Sequence, residues 1–177
     1  MLQLILGGAR SGKSRLAEQI AQSSSLPVIY LATAQALDQE MQDRIYHHQQ
    51  RRPASWTLVE ECLYLAERLQ ELDREHQVIL IDCLTLWMTN LLCAEDDHLQ
   101  LQECEKLLTV LPNLRSQVIL VSNETGLGVV PLGEISRRFV DESGRLHQRL
   151  AQLADCVIFC VAGLPMVLKG EMLCNGG

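Results

Sequence analysis

The sequence predicts an α/β protein with a mostly parallel sheet flanked by helices, and three observations carry that expectation. Continuous apolar runs recur at residues 2–6, 27–33, 77–82, 116–123 and 155–163, and unbroken runs rather than alternating ones are what strands buried on both faces require. Segments with apolar residues at helical spacing separate them, so successive strands are joined by crossovers. Several runs end in residues with chemistry to offer, Thr33, Asp82 and Asn123 among them, at the strand ends beyond which open parallel sheets hold their ligands.

The first run leads into Gly7-Gly8-Ala9-Arg10-Ser11-Gly12-Lys13-Ser14, a strand followed by G-x-x-x-x-G-K-S, the P-loop pattern. Glycines let successive backbone N–H groups turn toward a phosphate chain, and the helix that follows presents its positive end to the same anions. Lys13 then neutralises the β- and γ-phosphates, and Ser14 ligates Mg²⁺. The motif alone leaves open which nucleotide binds and what is done with it.

At 177 residues, with 47% apolar and 21% charged residues, the chain is sized for one domain, 1–177, with a full core. A net charge of −7 argues against a nucleic-acid partner, whose electrostatic capture needs a basic face. No basic leader precedes the first strand, and the longest apolar stretch, residues 156–168, is too short to span a bilayer. The cytoplasm is the expected location. Seven cysteines, with no C-x-x-C pair, read as reduced core thiols rather than disulfides or a metal cage.

In chain order, residues 13–24 form the helix after the loop, and the strand at 27–33 ends in Thr33-Ala34-Gln35, placing Thr33 and Gln35 near the phosphates. Residues 37–51 read as a helix with two faces. Leu37, Met41, Ile45 and His48 share the apolar stripe, where His48 packs or caps. His47 stands between Arg44 and Arg51 on a face suited to anions. Neighbouring arginines favour a neutral imidazole, the form a nucleophile needs, although a helical histidine also has a purely structural reading. Residues 57–60 make a short strand and 63–72 an amphipathic helix; Glu60 and Glu61 either contact a ribose or stand in solvent. Residues 77–82 are a buried strand whose terminal Asp82 is costly to bury unless paired, and Mg²⁺ is its natural partner.

Helices are expected at 84–92, 99–111 and 132–154, with Glu95, Asp96 and Asp97 as a solvated cap. The strand at 116–123 ends in the polar loop Ser122-Asn123-Glu124-Thr125-Gly126-Leu127-Gly128, able to orient a water, a hydroxyl or a γ-phosphate. Arg137, Arg138, Arg145 and Arg149 serve phosphate, a subunit contact or a solvated face. After the last strong strand, residues 165–169 add an edge hairpin.

Gly7 to Ser14, Arg44-Ile45-x-x-His48 preceded by His47, Arg52-Pro53, Thr89-Asn90-Leu91 and Ser122-Asn123-Glu124-x-Gly126-x-Gly128 together resemble the bifunctional adenosylcobinamide kinase and adenosylcobinamide-phosphate guanylyltransferase family of cobalamin biosynthesis. The resemblance covers nearly the whole chain. It implies a RecA-like sheet, a homotrimer, and two reactions: GTP or ATP phosphorylates adenosylcobinamide, and GTP then guanylylates the phosphate through a GMP-histidine intermediate, for which His47 matches by position. The expected nucleotide contacts are Gly7, Gly8, Ala9, Arg10, Ser11, Gly12, Lys13, Ser14, Thr33, Ala34, Gln35, Gln50, Arg51, Arg52, Pro53, Glu60 and Asp82, with Mg²⁺ on Ser14 and Asp82. The chain departs from the family at His147-Gln148, where Asn often precedes Gln, at Val140-Asp141, where Arg-Asp is common, and in its unmatched C-terminal seven residues.

Two other readings use the same loop. One is a plain small-molecule kinase with no covalent intermediate, which leaves His47 incidental. The other is a nucleotide switch whose output is conformational; against it, no N/T-K-x-D guanine-specificity motif occurs.

Overall fold

The five apolar runs become the five inner strands of a seven-stranded sheet, because only a strand covered on both sides can afford no polar alternation. The computed structural model describes residues 1–34, 53–96 and 98–172. Its strands are β1 (Leu2–Gly7), β2 (Val28–Ala32), β3 (Thr57–Glu60), β4 (Val78–Asp82), β5 (Gln117–Asn123), β6 (Cys156–Val161) and β7 (Leu164–Lys169), in the spatial order β3-β2-β4-β5-β1-β6-β7. All neighbours pair in parallel except the last two. The helices are α1 (Lys13–Ser23), α2 (Leu65–Leu72), α3 (Leu84–Leu92), α4 (Leu99–Val110) and α5 (Glu134–Leu153), with one 3₁₀ turn at Leu111–Asn113.

Strand alternation divides the core into two layers. Leu2, Leu4 and Leu6 of β1, with Val118 and Leu120 of β5, meet α2, α3, α4 and α5; Trp87 is fully buried there. Its indole N–H donates to the Leu63 carbonyl at 2.8 Å, which removes the cost of burying a polar ring. Ile5, Val78, Leu80, Ile119 and Val121 face the other way and pack on Ala17, Ile20 and Ala21 of α1. Asp82 and Asn123 continue this second set by alternation, so the strand ends on the α1 side carry their functional groups beside the glycine loop.

The expected elements agree with the observed ones to within a residue or two at each end. The helix expected at 37–51 lies outside the described residues. The hairpin expected at 165–169 is β7, joined to β6 by a two-residue turn in which Ala162 and Gly163 both have positive φ, 51° and 80°, the conformation that matches strand twist. β7 ends the sheet with Leu164, Met166, Val167 and Leu168 all exposed. The expectation of core thiols holds for Cys104, Cys156 and Cys160, while Cys62 and Cys83 are half-buried and Cys93 is exposed; Cys174 lies outside the described residues. Cys93 follows the last residue of α3, where the chain has left the core.

Asp73, just after α2, ties two crossovers together. Its carboxylate accepts the Ser116 N–H at 2.9 Å, the Ser116 hydroxyl at 2.8 Å and the Arg115 N–H at 3.0 Å. Burial alone would raise its carboxyl, but these hydrogen bonds outweigh it and hold the group below the usual range. Asp73→Ala strands the buried Ser116 N–H, although the Ser116 hydroxyl can still donate to the Arg74 carbonyl at 2.9 Å, and is expected to cost about 1–3 kcal/mol in urea unfolding. Because the folded-state pKa is lowered, this stability is present above the unfolded carboxyl value and is lost as pH falls below about 4. The wild-type unfolding midpoint should therefore decline on acidification more than that of Asp73→Ala.

Candidate nucleotide site

The loop between β1 and α1 is held at its base by contacts that tolerate only glycine. A Cβ on Gly7 would lie 2.6 Å from the Cys160 carbonyl oxygen and 2.6 Å from Ser11 Oγ, because β6 runs directly beside this residue. Gly12 has φ of 94°, and a Cβ there would lie 3.1 Å from Gly163 Cα. The β6–β7 turn thus forms one wall of the loop: Gly163 N–H donates to the Ser11 carbonyl at 2.8 Å, and the Cys160 thiol lies 3.1 Å from the same oxygen. Gly7→Ala must push β6 or the loop aside, a repacking worth about 1–3 kcal/mol. We expect nucleotide affinity to weaken about tenfold or more, as read by titration with a fluorescent nucleotide analogue.

Within this frame the polar groups converge. Lys13 opens α1 and is only 9% exposed; its ammonium donates to the Gly8 carbonyl at 3.2 Å, so the charge stays over the loop. Ser11 Oγ is buried and has no hydrogen-bond partner among the described residues. Ser14 follows in the first turn of α1, half-buried. Gly8 is half-buried, and Ala9 and Arg10 are exposed at the loop tip, where Arg10 has φ of 57°.

Asp82 stands at the end of β4 on the same side of the sheet. Its Oδ2 accepts the Tyr30 hydroxyl at 3.0 Å, which orients the carboxylate. The neighbouring Cys83 thiol is pushed up to about 11 by burial and by the charge of Asp82, with Lys13 pulling the other way; it is no nucleophile near neutral pH. Among the described residues no group of three or more His, Cys, Asp or Glu could cage a metal. One carboxylate and one hydroxyl suit Mg²⁺ instead, a hard ion held through few protein ligands with phosphate and water completing its shell.

Other expected contacts fall differently. Thr33 is fully buried, and its hydroxyl donates to the Cys83 carbonyl at 2.7 Å while accepting the Cys83 N–H at 2.9 Å. Its hydroxyl therefore ties the residue after β2 to the residue after β4 and is already committed there. Ala34 and Pro53 are half-buried and Glu60 is exposed at the end of β3. Glu61 accepts the Leu63 and Tyr64 N–H groups, each at 2.8 Å, so it closes the turn that leads into α2. His47, Gln35, Gln50, Arg51 and Arg52 lie outside the described residues.

Three of the α5 arginines have partners within the fold: Arg149 pairs with Glu105 of α4, Arg145 with Glu142, and Arg137 donates to the Leu132 carbonyl. Asn90, quoted only as part of a motif, has a definite task. Its amide donates to the Thr33 carbonyl at 2.9 Å and the Cys62 carbonyl at 3.1 Å, clamping the segments that leave β2 and β3. No local sequence signal marks it, since both partners are carbonyls far away in the chain.

A family model described as cobinamide kinase / cobinamide phosphate guanyltransferase matches residues 3–168. The bifunctional adenosylcobalamin biosynthesis protein CobP of Pseudomonas aeruginosa is 58% identical over 173 residues, covering 98% of this chain and all of that protein. CobU of Escherichia coli, with the same description, is 38% identical over 182 residues, 96% of this chain and all of that one. Among solved structures, a Pyrococcus horikoshii protein matches with TM-score 0.57 at 10% identity, over 98% of this chain and 87% of its own. The RadB recombinase matches with TM-score 0.51 at 16% identity, over 89% and 73%. The solved structures share the mostly parallel sheet, a likeness of fold alone. The match across almost all of the sequence, with full-length relatives, establishes that the chain belongs to the cobinamide kinase / cobinamide phosphate guanyltransferase family.

Proposed function

We propose that the protein phosphorylates adenosylcobinamide with GTP or ATP and then converts the product to adenosylcobinamide-GDP with GTP. The observation that carries this reading is the glycine-tight loop, walled by the β6–β7 turn, with Lys13 over it and the oriented Asp82 on the same side of the sheet. In the kinase step the loop N–H groups and Lys13 hold the triphosphate while the corrinoid hydroxyl meets the γ-phosphorus. Mg²⁺ on Ser14 and Asp82 would offset charge on the phosphate oxygens.

In the second step, neutral His47 attacks the α-phosphorus and pyrophosphate leaves. The cobinamide phosphate then attacks the phosphoramidate, forming the new pyrophosphate bond and releasing the imidazole. Splitting the transfer in two keeps each displacement in line. Gln50, Arg51 and Arg52 are well suited by charge and hydrogen-bonding capacity to hold the phosphates during this exchange.

A homotrimer fits the apolar edge strand β7, whose exposed Leu164, Met166 and Leu168 suit burial against further copies of the chain. No described helix is long and apolar enough to cross a membrane, and free cysteines suit a reducing cytoplasm. The test is to mix purified protein, adenosylcobinamide, GTP and Mg²⁺ and weigh the products. Masses of both the phosphate and the GDP adduct are expected; the phosphate alone would leave a plain kinase, and neither would overturn the proposal.

A further inference from the structure

The two polar residues that end β5 face opposite layers. Ser122 is 2% exposed and points toward α3 and α5. Its hydroxyl lies 2.8 Å from Nε2 of His147 and 3.4 Å from Oγ1 of Thr85. Thr85 Oγ1 in turn accepts the Asn123 N–H at 2.7 Å. His147 is 7% exposed, and its Nδ1 stands 3.8 Å from the Glu124 carboxylate. Glu124 is anchored beside the glycine loop, its N–H donating to the Gly7 carbonyl at 3.1 Å.

The fixed donor is the Asn123 N–H, which gives to Thr85. With Thr85 O–H donating to Ser122 and Ser122 O–H to Nε2 of His147, the Nδ1–H of His147 faces Glu124. This arrangement requires a neutral imidazole, and burial indeed holds His147 below the ordinary histidine value, against the smaller opposing pull of Glu124. The set links His147 through Ser122 and Thr85 to the backbone N–H of Asn123.

Asn123 turns its side chain to the other layer, with Ile119 and Val121, on the side of α1. It sits in register with Gly7, the first residue of the loop. Its Oδ1 is buried yet has no hydrogen-bond partner among the described residues. A buried amide oxygen is disfavoured unless something donates to it. Phosphate oxygens cannot, since they are acceptors; a hydroxyl can.

We infer that Asn123 receives the hydroxyl of the phosphoryl acceptor beside the γ-phosphate, and that His147, Ser122 and Thr85 are positioning residues that aim it. The inference rests on the kinase reading above. The alcohol oxygen bonds to the γ-phosphorus as the bond to the β–γ bridging oxygen breaks and its electron pair leaves with the nucleoside diphosphate. The hydroxyl proton, directed at Asn123 before reaction, ends on an oxygen of the transferred phosphoryl group. Asn123 orients and takes no proton itself.

The test compares Asn123→Ala, Ser122→Ala, His147→Leu and His147→Gln with wild type, using adenosylcobinamide, ATP or GTP and α-labelled GTP. Asn123→Ala should lower the kinase kcat about 10²-fold, leave KM for the nucleotide within about twofold, and leave labelling of the protein by GTP intact. Ser122→Ala and His147→Leu should lower kinase kcat about tenfold in the same pattern, with His147→Gln recovering most of it by offering its amide oxygen as acceptor in place of the ring nitrogen. The double variant Asn123→Ala/His147→Leu should be no slower than Asn123→Ala, because the relay acts through that residue. Equal loss of kinase activity and GTP labelling would assign Asn123 to the nucleotide and overturn the inference, as would unchanged kinase kcat in Asn123→Ala. Should His147→Leu not fold by circular dichroism, Ser122→Ala carries the relay test alone. Absence of phosphorylation by the wild-type protein would instead remove the kinase reading itself.

Discussion

Lys13→Met is expected to lower kcat for both phosphorylation and guanylylation by about 10²–10³-fold, roughly 3–4 kcal/mol of transition-state stabilisation. The argument is electrostatic. The ammonium is 9% exposed and held 3.2 Å from the Gly8 carbonyl, so its charge acts through little water and is already in place before the phosphates arrive. Methionine keeps the length and apolar stem but removes the charge, so the loop should keep its shape. Steady-state assays of each half-reaction, with thermal unfolding as a control on folding, check it. An effect confined to KM would mean that Lys13 serves binding alone.

His47→Ala is expected to abolish retention of label from α-labelled GTP and to lower formation of adenosylcobinamide-GDP at least ~10⁴-fold, the scale on which removal of a covalent nucleophile acts. Phosphorylation of adenosylcobinamide should continue, because in the proposed kinase step the γ-phosphoryl group passes directly to the hydroxyl. The wild-type label should be acid-labile and base-stable, as a phosphoramidate is. Lys13→Met and His47→Ala therefore separate the two chemistries: one slows both, the other stops only the second. Survival of the label in His47→Ala would move the covalent step to another side chain.

What could be read from the residues alone follows the range of the forces involved. Gln77-Val78-Ile79-Leu80-Ile81-Asp82 announces a doubly covered strand with an acid at its end, and the strand is there. The glycine loop is equally legible, because both the turn and the positive end of α1 are local consequences of the chain. Sheet order is not local. Nothing near Tyr30 says that its hydroxyl will orient Asp82, 52 positions away. Nothing near His147 points to Ser122, 25 positions back. Thr33 shows the same limit: its place at a strand end suggests a phosphate contact, but nothing near it announces that its hydroxyl exchanges hydrogen bonds with Cys83, 50 positions away. Arg149 likewise left several roles open until α4 brought Glu105 beside it.

The turn that walls the glycine loop has a mechanical consequence. The same two strands that press Gly163 against Ser11 and Gly12 also carry the outermost apolar edge of the molecule. In the proposed homotrimer, a load applied along that edge reaches the phosphate cradle through a single tight bend, since Gly163 N–H is bonded to the Ser11 carbonyl. Dilution that separated such a trimer should then loosen triphosphate binding before the sheet itself gives way, as read by nucleotide titration against protein concentration.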